Sequence, residues 1–224
     1  MNTFRYGIVV TVFCSLFADK SFADDNLWIG AKAGTLGIGF EATWRLVPFF
    51  DLRAGLNTFD YDMSGSQAGL DYDAELALDT VYATANFRFP LNPMRLTVGI
   101  FSNGNEITML NQGSTGVIII GEVPYPASEV GTLRSEVTFD STAPYLGLGF
   151  DFRAFDKASI NLDLGVLWQN SPLVALTADG SLSNDPILRD AFLLALEDER
   201  QELETALDSF KAYPVVSLGI SFNF

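Results

Sequence analysis

Apolar and polar positions alternate one by one over eight separate stretches of the chain. In the last, YPVVSLGISFNF, Val216, Leu218, Ile220, Phe222 and Phe224 form one set, and Val215, Ser217, Gly219, Ser221 and Asn223 the other. Period-two alternation predicts a strand with one apolar face and one small or polar face. At Leu27–Gly34 the sets are Leu27, Ile29, Ala31 and Ala33 against Trp28, Gly30, Lys32 and Gly34. GIGFEATWRL sets Ile38, Phe40, Ala42, Trp44 and Leu46 against Gly37, Gly39, Glu41, Thr43 and Arg45. FDLRAGLN sets Phe50, Leu52, Ala54 and Leu56 against Asp51, Arg53, Gly55 and Asn57. VYATANFRF and MRLTVGIF continue the rule, with Tyr82, Thr84, Asn86 and Arg88, then Arg95, Thr97, Gly99 and Phe101, on the polar parity. YLGLGFDFR places Tyr145, Gly147, Gly149, Asp151 and Arg153 there. SINLDLGVLWQ adds Asn161, Asp163, Gly165 and Gln169, with Leu167 as its one apolar exception.

Eight alternating strands of this length predict an all-β fold, an eight-stranded antiparallel transmembrane β-barrel. A terminal strand so apolar is an aggregation hazard in water, whereas a closed sheet in lipid has no open edge. A soluble eight-stranded barrel turns its apolar set inward instead; periodicity alone permits that reading, and the connections decide. Short turns at 47–49, 90–93 and 154–157 alternate with long segments at 59–80, 102–144 and 170–212. That asymmetry is outer-membrane topology, with short turns and both termini in the periplasm and long loops outside. Trp44, Phe49, Phe50, Phe89, Phe152, Phe222 and Phe224 then fall near the periplasmic interface, as an aromatic girdle does.

The amino terminus, MNTFRYGIVVTVFCSLFADKSFADD, changes the compartment. Arg5, an apolar run at 6–17 and Ser21-Phe22-Ala23 have the order of a secretory signal, so residues 1–23 are expected to be removed and 24–224 to form the barrel domain. Beyond it no apolar run is long enough for a membrane-spanning helix. Cleavage leaves 27 acidic against 11 basic residues, net −16, and removes Cys14, the sole cysteine. No thiolate metal site or disulfide is then available. The acidic balance disfavours nucleic acid. With no histidine in the chain, the serine–histidine hydrolysis used by lipid-degrading barrel enzymes is closed to it, so no enzyme and no cofactor are expected.

The inward parity carries a group of charges: Arg45, Arg53, Arg88, Arg95 and Arg153 near short turns, with Glu41, Asp51, Asp151 and Asp163. Two readings fit. They form a selectivity constriction of the kind pores use, or a salt-bridged filling of a barrel too narrow to stay open. Inward glycines either leave a water path or make room for arginine and tyrosine side chains. In the last long segment, the fourth loop counting the brief hairpin at 34–37, residues 185–212 predict an inserted acidic helix, capped by Asn184 or Asp185 with Pro186 at its first position. It is either a lid or negative funnel for cations, or a solvated helix packed on the loops by Phe192, Leu196, Leu203, Leu207 and Phe210. GVIIIGEVPYPASEV predicts a small extracellular hairpin.

AGTLGIGFEATW, TAPYLGLGF, NSPLVALT and YPVVSLGISFNF together resemble the first hairpin, sixth strand, seventh-strand exit and last strand of the CarO family of small eight-stranded outer-membrane porins. The resemblance spans most of the mature chain and departs from the family at the longer acidic helix. It implies a channel for small polar or cationic solutes such as amino acids; family members are linked to uptake of basic amino acids and to passage of carbapenems. A non-conducting structural or host-facing surface barrel is the alternative. Either implies outer-membrane lipid and lipopolysaccharide as surroundings. The closing Phe222 and Phe224 resemble the signal by which the barrel-assembly machinery recognises its substrates. Replacing Phe224 with aspartate should therefore leave export intact and block membrane assembly. Loss of the heat-modifiable band from outer-membrane fractions checks this.

Overall fold

The computed structural model describes residues 26–67, 70–112, 115–155 and 157–223; the expected leader and Phe224 lie outside them. Among the described residues the strands are β1 (Leu27–Gly34), β2 (Gly37–Val47), β3 (Phe50–Gln67), β4 (Leu70–Arg88), β5 (Met94–Asn103), β6 (Glu106–Gln112), β7 (Val117–Ile120), β8 (Val123–Pro126), β9 (Leu133–Thr138), β10 (Thr142–Phe155), β11 (Ala158–Trp168), β12 (Leu173–Ala178) and β13 (Ala212–Asn223). Eight of them close a ring in the order β1-β2-β3-β4-β5-β10-β11-β13 and back to β1, every pair antiparallel. The eight predicted strands are these eight.

Closure depends on the terminal strand. Trp28 to Gly34 pair residue by residue with Asn223 to Ser217, so no edge is left open between first and last strand. The β1–β2 turn is locked onto the same strand. Thr35 donates its N–H to the Val216 carbonyl at 2.9 Å, and the Tyr213 hydroxyl donates to the Thr35 carbonyl at 2.7 Å.

Burial follows the alternation. Ile38, Phe40, Val81, Ile100, Leu148 and Leu218 are large, apolar and 43–61% exposed on the outer wall, while Glu41, Asp51, Arg53 and Arg95 are buried inside. That arrangement is the reverse of a soluble barrel and fits a wall facing lipid. Trp44, Phe49, Phe50, Phe152 and Phe222 lie exposed at the short-turn end, and Phe87 meets Phe89 edge-on at 5.4 Å.

The long segments are not the loops that their lengths suggest. β3 and β4 run on past the barrel as one paired hairpin, Thr58↔Asp79 to Gln67↔Leu70. The free edge of β4 then recruits β6, β6 recruits β9, and β9 recruits β12, making a sheet beyond the barrel rim. The alternation in fact continues through 59–78 with its polarity exchanged. Up to Leu56 the outward side chains are apolar; from Thr58 they are Thr58, Asp60 and Asp62, and the inward parity turns apolar with Phe59, Tyr61 and Met63. On β4 the exchange falls at Thr80, whose hydroxyl accepts from Asn57 Nδ2 at 2.8 Å. The pairing register does not slip there, so the exchange marks where the outer wall leaves lipid for water.

This outer sheet has its own apolar core. Ile118, Ile120, Ala127, Val130, Leu182, Phe192, Ala195 and Leu196 pack together, with Tyr125 edge-on to Phe192 at 5.2 Å. β7 and β8 form the predicted hairpin. The inserted helix spans Arg189–Ala206. The expected cap, Asp185, lies one turn before the helix start at Leu188 and fixes the turn leading into it. Its carboxylate accepts the N–H groups of Ile187 and Leu188 at 2.7 and 2.8 Å, which holds its pKa below the usual range. Glu199 accepts the Gly121 N–H at 3.0 Å and Glu204 accepts the Val174 N–H at 3.3 Å, so acidic side chains fasten the helix to β7–β8 and β12. Of its expected apolar face, Phe192 and Leu196 are buried and Phe210 is exposed. The helix is a packed part of the outer sheet.

A charge on the outer wall should separate barrel from outer sheet. Leu148→Arg, in mid-strand, should lower folding free energy in lipid vesicles by about 2–4 kcal/mol. Glu75→Arg, beyond the polarity exchange, should leave it nearly unchanged. Urea titration of both variants checks this.

Candidate functional site in the barrel lumen

Seven of the nine charges expected on the inward face join one connected network, and Lys32 completes it. Arg88 donates from Nε to Asp51 at 2.5 Å and from Nη1 to Asp151 at 2.5 Å. Arg95 donates to Asp151 at 3.0 Å and, through its other terminal nitrogen, to Asp163. Arg53 lies 3.3 Å from both Asp163 and Glu41, and Lys32 lies 3.5 Å from Glu41. The order along the chain of contacts is Asp51, Arg88, Asp151, Arg95, Asp163, Arg53, Glu41, Lys32. Charge alternates at every step, and four positive groups balance four negative ones.

The network crosses the lumen. β3 and β11 stand four places apart in an eight-membered ring, so Arg53–Asp163 ties opposite walls. Neutral side chains take up the remaining capacity of the carboxylates. Asn86 donates to Asp51 at 2.5 Å, Asn161 to Asp151 at 2.6 Å and Tyr82 to Glu41 at 2.9 Å. Arg53 Nε donates to the Thr43 hydroxyl at 3.1 Å, which orients its guanidinium.

Glycines make the space for this filling. A methyl group at Gly149 would collide with the Arg95 guanidinium, and one at Gly147 or Gly165 with the Tyr145 hydroxyl. Gly55 is opposite the Tyr82 hydroxyl in the same way. Room for large side chains, rather than an open path, is what the inward glycines provide here.

A second layer lies toward the long-loop end: Leu36, Tyr82, Phe101, Ala143, Tyr145, Leu167 and Val215 pack as a buried apolar cluster inside the barrel. Tyr82 stacks on Phe101 with centroids 4.8 Å apart, and Phe101 meets Tyr145 at 5.2 Å. Lys32 joins the layers, its Nζ 4.1 Å above the Tyr82 ring while it also pairs with Glu41. Counting charges misses this layer. Its signal was the set of bulky residues on the inward parity at Tyr82, Phe101, Tyr145, Leu167 and Val215, of which Phe101, Leu167 and Val215 are wholly apolar.

Arg45 and Arg153 are apart from the network. They line a cavity of about 40 Å³ at the short-turn end, together with Trp28 and Arg88. Arg45 is half-buried, its guanidinium 5.4 Å from the Trp28 ring, and Arg153 is exposed.

A closed eight-stranded membrane barrel with a filled lumen is thus the class of protein that fold and site define. Its fold is that of the CarO barrels of Acinetobacter baumannii. The crystal structure of CarO2 matches with a TM-score of 0.58 and 21% identity, and that of CarO with 0.59 and 22%; each comparison covers 89% of this chain and 98% of the other. At such identity the likeness is one of fold. No protein-family model matches the chain, nor does any curated protein sequence.

Truncating a network member strands buried charge. Arg53→Ala leaves Glu41 and Asp163 each short of a partner and should cost about 3–5 kcal/mol. Arg153→Ala removes no ion pair with a described residue and should be nearly neutral. Equilibrium unfolding of the two variants in the same detergent checks the contrast.

Proposed function

We propose that the protein is an outer-membrane barrel of channel type for small polar or cationic solutes such as amino acids, closed in the conformation described. The short-turn end faces the periplasm and the outer sheet faces the medium, with lipid and lipopolysaccharide around the wall. The carrying observation is the neutral, alternating chain of eight charges across the lumen. A barrel needing only to be filled is stabilised at least as well by apolar packing, and this lumen uses apolar packing in its other layer. An ionic closure differs in one respect: its six inner members sit between two partners and exchange them without leaving net charge behind. The acidic residues on the outward face of the outer sheet, Asp60, Asp62, Asp71, Asp73 and Glu75, give the long-loop end a negative field that favours cations.

The apolar layer favours a second reading, a sealed barrel whose work is to display the outer sheet. Liposome swelling separates the two. Vesicles carrying the wild-type protein should swell in glycine or lysine faster than protein-free vesicles, and Leu167→Ser, which loosens the apolar layer, faster still. Impermeability of both proteins, correctly folded, would leave the sealed surface barrel.

A further inference from the structure

Among the described residues the lumen charges balance without Arg45 and Arg153, which leaves these two cations over at the short-turn mouth. We propose that Arg45 and Arg153, with Trp28 and Arg88, form a binding site for an oxyanion, the carboxylate or phosphate group of a small solute. This inference does not depend on whether the lumen conducts.

Three observations carry it. Neither Arg45 nor Arg153 makes an ion pair with any described residue, whereas every other inward-facing cation named above does. Asp151, the carboxylate that lines the same cavity, is already held by Arg88, Arg95 and Asn161.

The third observation is the most specific. Trp28 Nε1 and Arg45 Nε are buried and have no hydrogen-bond partner, and both side chains line this cavity. Both groups are donors. Buried donors left unpaired are destabilising, so the complement of this cavity is a group that brings only acceptors. Water would satisfy the donors and leave the surplus charge. An oxyanion answers both, through charge-assisted bonds from guanidinium groups. At about 40 Å³ the cavity takes one such group, with the rest of the solute projecting through the mouth. Trp28, Arg45 and Arg153 all hold the inward parity, which points to a solute in the lumen mouth rather than a lipid headgroup on the outer wall.

The test uses the folded full-length barrel in uncharged detergent, titrated with inorganic phosphate and with acetate at ionic strength fixed by sodium chloride. Expected are saturable thermal stabilisation beyond that in chloride and a matching change in tryptophan fluorescence. Arg45→Gln and Arg153→Gln should each weaken binding about tenfold, the loss of one charge-assisted hydrogen bond. Arg45→Lys, which keeps the charge, should retain part of it, and Arg134→Gln, in the outer sheet, should bind as wild type. Equal responses to phosphate, acetate and chloride, or undiminished binding in both glutamine variants, would overturn the proposal. A further arm compares phosphatidylcholine vesicles with and without phosphatidylglycerol. Stabilisation by the anionic lipid alone, with none by free phosphate or acetate, would overturn it in favour of a headgroup contact.

Discussion

Pairing of β1 with β13 is the constraint on which everything else depends. Inside a bilayer every backbone donor and acceptor must find its partner within the protein. The seven-residue register between Trp28 and Gly34 on one side and Asn223 and Ser217 on the other removes the last unpaired edge. Closing after eight strands then sets the diameter, and that diameter barely admits the barrel's own side chains. The interior must be filled. Gly55, Gly147, Gly149 and Gly165 are consequences of that limit, because the bulk of Tyr82, Tyr145 and Arg95 occupies the space opposite them.

Filling with charge carries a condition that apolar filling does not. Each ion removed from water must recover its solvation from partners, and in this lumen it does so by alternation. Asp151 receives Arg88, Arg95 and Asn161; Asp163 receives Arg53 and Arg95. Such a chain tolerates the exchange of neighbours better than the loss of a member. The apolar layer above it has the opposite character, since Tyr82, Phe101, Tyr145 and Leu167 exclude water without any pairing requirement. The two layers meet at Lys32, which is bound to both.

Much of this was legible in the residue order because period-two alternation is a local property. Each strand states its own inward and outward set, and all nine expected charges lie on the inward side. What alternation does not contain is which wall a side chain reaches across to. Arg53 and Arg45 look alike in sequence, two inward arginines on neighbouring strands, yet Arg53 spans to Asp163 while Arg45 lies over Trp28. That difference is set by depth and by strands far apart in sequence. The outer sheet escaped for another reason. The alternation through 59–78 is as regular as in the barrel, but its polarity is exchanged, and with the long segments read as loops the exchange reads as the end of the strand.

The exchange carries physical information of its own. Along β3 the outward positions are apolar from Phe50 to Leu56 and polar from Thr58 on. Eight residues at ~3.3 Å each, tilted by ~40°, give a belt of ~20 Å, close to the roughly 25 Å apolar band of membrane barrels. The paired strand changes at Thr80, directly opposite Asn57, so both strands place the boundary at one height. Beyond it the inward parity becomes apolar, with Leu76 and Leu78 on β4 turned toward the inside of the outer sheet. One continuous hairpin thus serves two solvents. In lipid its polar face must be hidden, and in water its apolar face must be. The protein meets the first demand throughout and the second on β4, where Leu78 is buried, while Phe59, Tyr61 and Met63 on β3 stay exposed. Residue types are exchanged at a fixed register instead of the strand turning over, and the backbone pairing that closes the barrel therefore runs without interruption into the sheet it presents beyond the membrane.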